Sequence, residues 1–225
     1  MARPSKPLLS RERIVDAALA VVDAEGLSAL STRRLAAELG VSGPSLYNHF
    51  ASKDDILDAV ADRVVGEADL SMFGTCDWQE ALVRWARSYR AALAAHPNIV
   101  PVVPRGPGRR PASLAMADAV FGCLTGAGWP PAHATRIGAL MRYFIAGSAL
   151  GSFARGFLDD PGVYEGSYPH LGQAHLLADH RERVDEGAFE TGLRALVDGL
   201  ALQYDTAVGA APPATARPLT RDLPG

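Results

Sequence analysis

Cysteine is nearly absent from this chain of 225 residues: only Cys76 and Cys123 occur. Two thiols without metal-ligand spacing cannot make a zinc module or a secreted disulfide scaffold, so a reducing cytoplasm is the expected compartment and both thiols are expected to be buried. Long apolar runs are also missing. The most apolar stretch, residues 137–151, is broken by Arg142 and is too short to cross a bilayer. The first fifteen residues, MARPSKPLLSRERIV, lack the apolar core of a signal peptide. Alternating β-branched segments are scarce, and Gly and Pro cluster as punctuation instead of recurring at strand-turn intervals, which argues against a β architecture. No nucleophile elbow, phosphate-binding loop or zinc spacing occurs, so an enzyme is a remote alternative. His170, His175 and His180 are five residues apart, a spacing that turns ligands away from one another on a helix; solvated loop histidines are expected, with no metal and no cofactor.

What remains is the composition of an all-α protein. Hydrophobic residues make up 48% and charged residues 21%, enough to build a buried core. The formal charge of −3 is unevenly spread. Basic residues outnumber acidic ones up to Lys53, and the rest of the chain is acidic. Apolar residues recur at helical spacing from Arg11 to Glu25, with Ser10 as a cap and Gly26 as a stop. Ser31 caps a helix that Gly40 ends. Ser42 then caps a short helix to about His49, and Ser52-Lys53-Asp54-Asp55 opens another. After Asp77, a stripe of Trp78, Ala81, Leu82, Trp85, Tyr89, Ala92 and Leu93 predicts a long amphipathic helix. The proline-rich segment 97–111 is expected to be a loop with at most one turn. Further helices are expected over 113–127, 133–157 and 186–204, with an irregular connection at 158–184. The organisation expected is a mobile arm at 1–9, a small helical domain at 10–56, a larger helical domain at 57–208, and a disordered tail at 209–225.

The segment 31–53, STRRLAAELGVSGPSLYNHFASK, has the parts of a helix-turn-helix. Gly40 permits the tight turn, and Leu35, Ala36, Leu39, Val41 and Leu46 can lock two helices together. Gly43, Pro44, Ser45, Tyr47, Asn48 and His49 leave the second helix with a short, polar and aromatic surface suited to a DNA groove. With this spacing of Gly26, Ser31-Thr32, Leu35-Ala36, Gly40-Val41-Ser42, Leu46-Tyr47, His49-Phe50 and Ser52-Lys53, the segment closely resembles the DNA-binding domain of the tetracycline-repressor (TetR) family over roughly residues 10–60. The resemblance implies that Tyr47, His49 and Lys53 contact phosphates while the start of the short helix reads base edges. Thr32 stands at the start of the preceding helix, and Arg33 beside it is the best candidate for bidentate pairing with guanine; Arg34 is expected to be solvated.

Beyond residue 60 the resemblance is looser, but the Trp78 helix and the ending AFETGLRALVDGL look like the TetR regulatory body. That implies a homodimer on double-stranded operator DNA, with a palindromic site, and a small apolar or aromatic effector bound inside the body. Trp85, Tyr89, Met116, Phe121, Met141 and Phe144 are the candidate pocket linings, since aromatics and Met make an adaptable apolar cavity. The polar set that a metal–tetracycline complex would need is not recoverable around Trp85–Gly106, so tetracycline is not expected. Gly147, Ser148 and Gly151, with Phe189, Leu193, Leu196, Val197 and Leu200, are the expected dimer interface. An effector-independent DNA-binding protein or activator is the competing reading, and it would need no cavity.

Overall fold

The computed structural model describes residues 9–105 and 108–209. The expected arm, apart from Leu9, and the expected tail, apart from Gly209, lie outside these residues. Every regular element among the described residues is helical. The eight α-helices are α1 (Arg11–Glu25), α2 (Thr32–Leu39), α3 (Gly43–Tyr47), α4 (Lys53–Val65), α5 (Trp78–Ala95), α6 (Pro111–Gly126), α7 (Pro131–Ala149) and α8 (Arg181–Gly209).

Local chemistry sets most of the boundaries. The hydroxyls of Ser10, Ser31 and Ser52 accept hydrogen bonds from the backbone N–H groups of Arg13, Arg34 and Asp55, at 3.2, 3.1 and 3.1 Å. Asp77 does the same for Glu80 at 2.8 Å. Each such cap is worth about 1 kcal/mol. Ser42 departs from this pattern: its side chain makes no bond to a backbone N–H and instead pairs with the Ser45 hydroxyl at 2.7 Å. The helix it precedes is also shorter than the sequence suggests, ending at Tyr47. Gly40 ends α2 in the left-handed conformation, φ 66° and ψ 35°, which lets two backbone N–H groups fold back onto Ala36 and Ala37.

Three segments differ from expectation. Pro97–Arg105 is a continuous 3-10 helix that buries Ile99, Val100, Val102 and Val103 and packs against α1, α4, α5 and α7. Prolines rule out α-helical bonding here but are compatible with short i to i+3 bonding, so an apolar strap forms where an open loop was expected. The helix expected over 133–157 stops at Ala149. The connection that follows is a string of 3-10 turns with its own anchor: the Tyr164 hydroxyl accepts from Leu158 N at 2.8 Å and donates to Leu158 O at 3.2 Å. Finally α8 begins at Arg181, five residues earlier than its apolar periodicity suggested.

One apolar core runs through the molecule, from Ile14 and Leu46 at one end to Leu193 and Leu200 at the other. The domain boundary expected at 56/57 falls inside α4, which packs on both α1 and α6. Toward the far end, Trp78, Trp129 and Tyr204 form an aromatic knot with ring centroids 5.2–5.7 Å apart. Cys76 and Cys123 are free and half-buried, so neither is the fully enclosed thiol that was expected.

Candidate nucleic-acid interface and effector cavity

Helices α1 to α3 build the reading head. Leu35 and Ala36 from α2 and Leu46 from α3 are buried, with Leu39 and Val41 packed at the margin of the core. This leaves the other sides of α2 and α3 outward. Arg33, Pro44, Tyr47, Asn48 and Lys53 are exposed, and Thr32, Gly43, Ser45 and His49 are half-buried. The Thr32 and Tyr47 hydroxyls sit 3.3 Å apart, so the fold brings together two of the candidate contact residues from different helices.

Neighbouring arginines on α2 have different fates. Arg34 is clamped between Glu25 and Glu38, with a closest N–O distance of 2.7 Å to each, and both carboxylates push its already high pKa further up. It is an intramolecular tie, not the solvated side chain expected. Arg33 has no carboxylate partner among the described residues, and its donors remain available. Lys53 is the first residue of α4, where its ammonium adds to the positive end of the helix dipole, a placement that favours a phosphate. A residue the sequence reading did not single out is Arg11. Its guanidinium lies 4.0 Å from the centre of the Phe50 ring and donates to the His49 carbonyl, fixing the turn after α3. Only contact geometry could reveal that pairing across 38 residues.

Gly43 has a telling environment. A Cβ built on it would meet no atom of the chain within 4 Å, and its φ does not require glycine. Nothing inside the fold explains its small size.

In the body, a cavity of about 230 Å³ lies between α5, α6 and α7. Trp85, Tyr89, Met116 and Phe121 line it together with Val65, Ser113, Val120, Thr135, Gly138 and Arg142. Met141 and Phe144, expected in this lining, are elsewhere. Met141 is fully enclosed in the core, and Phe144 turns toward α8, where it stacks on Phe189 with centroids 5.3 Å apart. The helical period was correct but the side of α7 was misjudged: the cavity takes Thr135, Gly138 and Arg142, which lie on a neighbouring stripe. Arg142 could have been suspected from sequence only as a charge inside an apolar run.

Cavity and head are joined by polar contacts. Asp62 on α4 accepts from Ser113 N at 2.8 Å, from the Ser113 hydroxyl at 2.9 Å and from Ala112 N at 3.1 Å, thereby capping α6 from the neighbouring helix. Ser113 also lines the cavity. Next to this cap, buried Arg110 pairs with Asp58. On the other side His96 lies 2.8 Å from Asp23 and 3.4 Å from Glu67, and Asn98 Nδ2 donates to the carbonyls of Val22 and Asp23.

The expected dimer face needs correction. Phe189, Leu193, Val197 and Leu200 are buried within the chain itself, and Leu196 is half-buried. Phe189, Leu193, Val197 and Leu200 form the inward seam of α8 and are covered by the chain itself, whereas Leu196 stays partly accessible. Gly147 and Gly151 are exposed and Ser148 is half-buried, its hydroxyl donating to Ile145 O at 2.7 Å. The outward faces carry other residues: Leu140, Tyr143 and Leu150 around α7, and Leu202 on α8. Among the described residues no cluster of His, Cys, Asp or Glu is arranged to hold a metal ion, and no helix is long and apolar enough to cross a membrane.

A three-helix head with a helix-turn-helix and a helical body enclosing an apolar cavity define a DNA-binding transcriptional regulator. The comparisons place it more closely. Residues 14–60 match the family described as bacterial regulatory proteins, tetR family, and residues 70–204 match the tetracyclin repressor-like C-terminal domain. The chain belongs to the TetR family. It is 33% identical over 201 residues to the tetracycline repressor protein class A from transposon 1721 of Escherichia coli, covering 86% of this chain and 91% of that one. Among solved structures it is similar to the Streptomyces coelicolor protein ActR in complex with (S)-DNPA, with a TM-score of 0.69 and 30% identity over 86% of this chain and 97% of the other. BioQ with its double-stranded DNA operator is also similar, with a TM-score of 0.63 and 25% identity over 87% and 99%.

Proposed function

We propose that this protein is a homodimeric, ligand-responsive repressor that binds a palindromic operator and releases it when a small aromatic or apolar effector enters the body. The observation that carries this reading is the link from cavity to head: Ser113 both lines the cavity and is held by Asp62 on α4. An effector displacing the start of α6 has a direct grip on the helix whose first turn carries Lys53.

On the DNA, Lys53, Tyr47 and His49 hold phosphates, while Arg33, Gly43, Pro44, Ser45 and Asn48 lie against base edges with Thr32 alongside. Two heads about 34–36 Å apart then fit successive major grooves. The outward residues Leu140, Tyr143, Gly147, Leu150, Gly151 and Leu202 form the dimer face in place of the inward seam of α8. An effector acts by favouring a head separation that no longer fits the operator.

The test is operator binding by the parent and by Asp62→Asn, with and without a compound that raises the thermal midpoint. In the parent the compound should lower operator affinity. Asp62→Asn should keep both ligand and operator binding but lose much of the coupling between them. If bound compounds leave the parent's operator affinity unchanged, the repressor-release reading is wrong.

A further inference from the structure

Arg142 is the only charged side chain among the described residues that line the cavity. Arg34, Arg87, Arg90 and Arg110 each pair with a carboxylate, whereas Arg142 has none among the described residues. Its NH2 group donates to the backbone carbonyl of Val103 at 2.6 Å, and its other close partner is the Tyr89 hydroxyl. Neither neutralises it. A backbone carbonyl carries no net charge, and burial pushes the Tyr89 phenol above its ordinary pKa despite the nearby guanidinium, so that group stays protonated at neutral pH. A half-buried cation is thus held at an otherwise apolar wall with donors to spare. On the same lining, the Trp85 indole N–H is buried without any acceptor. The cavity thus presents a cationic donor and no carboxylate.

We infer that the cavity takes a small aromatic acid as its anion, with the carboxylate on the Arg142 guanidinium and the ring against Met116, Val120 and Phe121. Arginine suits this because its planar fork can make two parallel hydrogen bonds to one carboxylate. The cavity volume, about 230 Å³, lies below the roughly 300–1,000 Å³ usual for drug-sized ligands, which limits the aromatic part to a compact ring system. The inference rests on reading this cavity as the effector site, and adds the charge that the effector carries.

Calorimetric titration of the full chain with naphthoate and with its neutral isostere naphthamide tests it. The parent should bind naphthoate at least about tenfold more tightly, the scale of a hydrogen bond to a charged group. Arg142→Met should abolish that preference, so that the two probes bind equally, and Arg142→Lys should retain part of it. Val120→Trp, which fills the cavity, should remove binding of both probes. Equal affinity of the parent for the two probes would overturn the anion inference and leave the effector site standing. Absence of binding by both probes, or binding that survives Val120→Trp, would overturn both.

Discussion

Gly43 in the head and Gly192 in the body are both helical glycines, but opposite pressures surround them. A Cβ at Gly192 would lie 2.7 Å from one carbon of the Phe144 ring and 2.9 Å from another, so its small size is demanded by the packing of α7 on α8. At Gly43 the chain leaves open space. Packing within the chain accounts for the glycine at 192 and not for the one at 43. Side chains differ too: the head keeps Arg33, Tyr47, Asn48 and Lys53 exposed, while in the body Trp78 packs on Trp129 and Phe144 on Phe189.

Four measurements can break or sharpen that contrast. The largest effect is expected on the inward seam of α8. Leu193 is fully buried and Leu202 is 84% exposed. Leu193→Ala should cost about 2–5 kcal/mol in urea unfolding, whereas Leu202→Ala should leave protomer packing nearly unaffected and shift sedimentation toward monomer. The glycine pair comes next. Gly192→Val should destabilise by about 1–3 kcal/mol through overpacking, while Gly43→Ala should be neutral or stabilising by up to about 1 kcal/mol and yet weaken operator binding. A Gly43→Ala protein that binds operator like the parent would remove the argument for close groove approach.

Within the head, Arg33→Ala should relax preference at one base position by about 1–3 kcal/mol, and Lys53→Ala should weaken binding on all sequences and reduce the salt slope by about one. These two variants separate reading from gripping. The smallest effect is a pH dependence of the tie between α5 and α8, where Arg87 holds Glu190 in a two-pronged pair at 2.7 and 2.6 Å. The guanidinium lowers the Glu190 pKa below its ordinary value, so the pair contributes above the unfolded-state carboxylate value and is lost as pH falls through the folded one. This partly exposed pair contributes within about 1 kcal/mol. Parent and Glu190→Gln should therefore differ in thermal midpoint near neutrality and converge in acid.

The head was readable in the sequence because its signals are local. Ser31, Gly40 and Ser52 act within a turn or two of their own positions, and exposed side chains at helical spacing keep their pattern in one dimension. The cavity was half readable. Trp85, Tyr89, Met116 and Phe121 stood out by type, but which side of α7 faces them depends on contacts among helices distant in sequence. The same limitation put the seam of α8 at a subunit interface. An apolar stripe reveals that it is buried without revealing by what, and Phe144 in the place opened by Gly192 supplies the answer from within the same chain. Proline in 97–105 masked a folded element because its content suggests only the absence of an α-helix.

That strap has a mechanical consequence. Arg142 holds its Val103 carbonyl at one end, and Asn98 fastens the other to the last turn of α1. Pro97, Pro101 and Pro104 have no amide proton and fixed φ, so the strap cannot take up slack by rewinding into an α-helix. A guanidinium drawn aside in the body would therefore be felt, through Val103 and Asn98, at the helix against which the reading head is built.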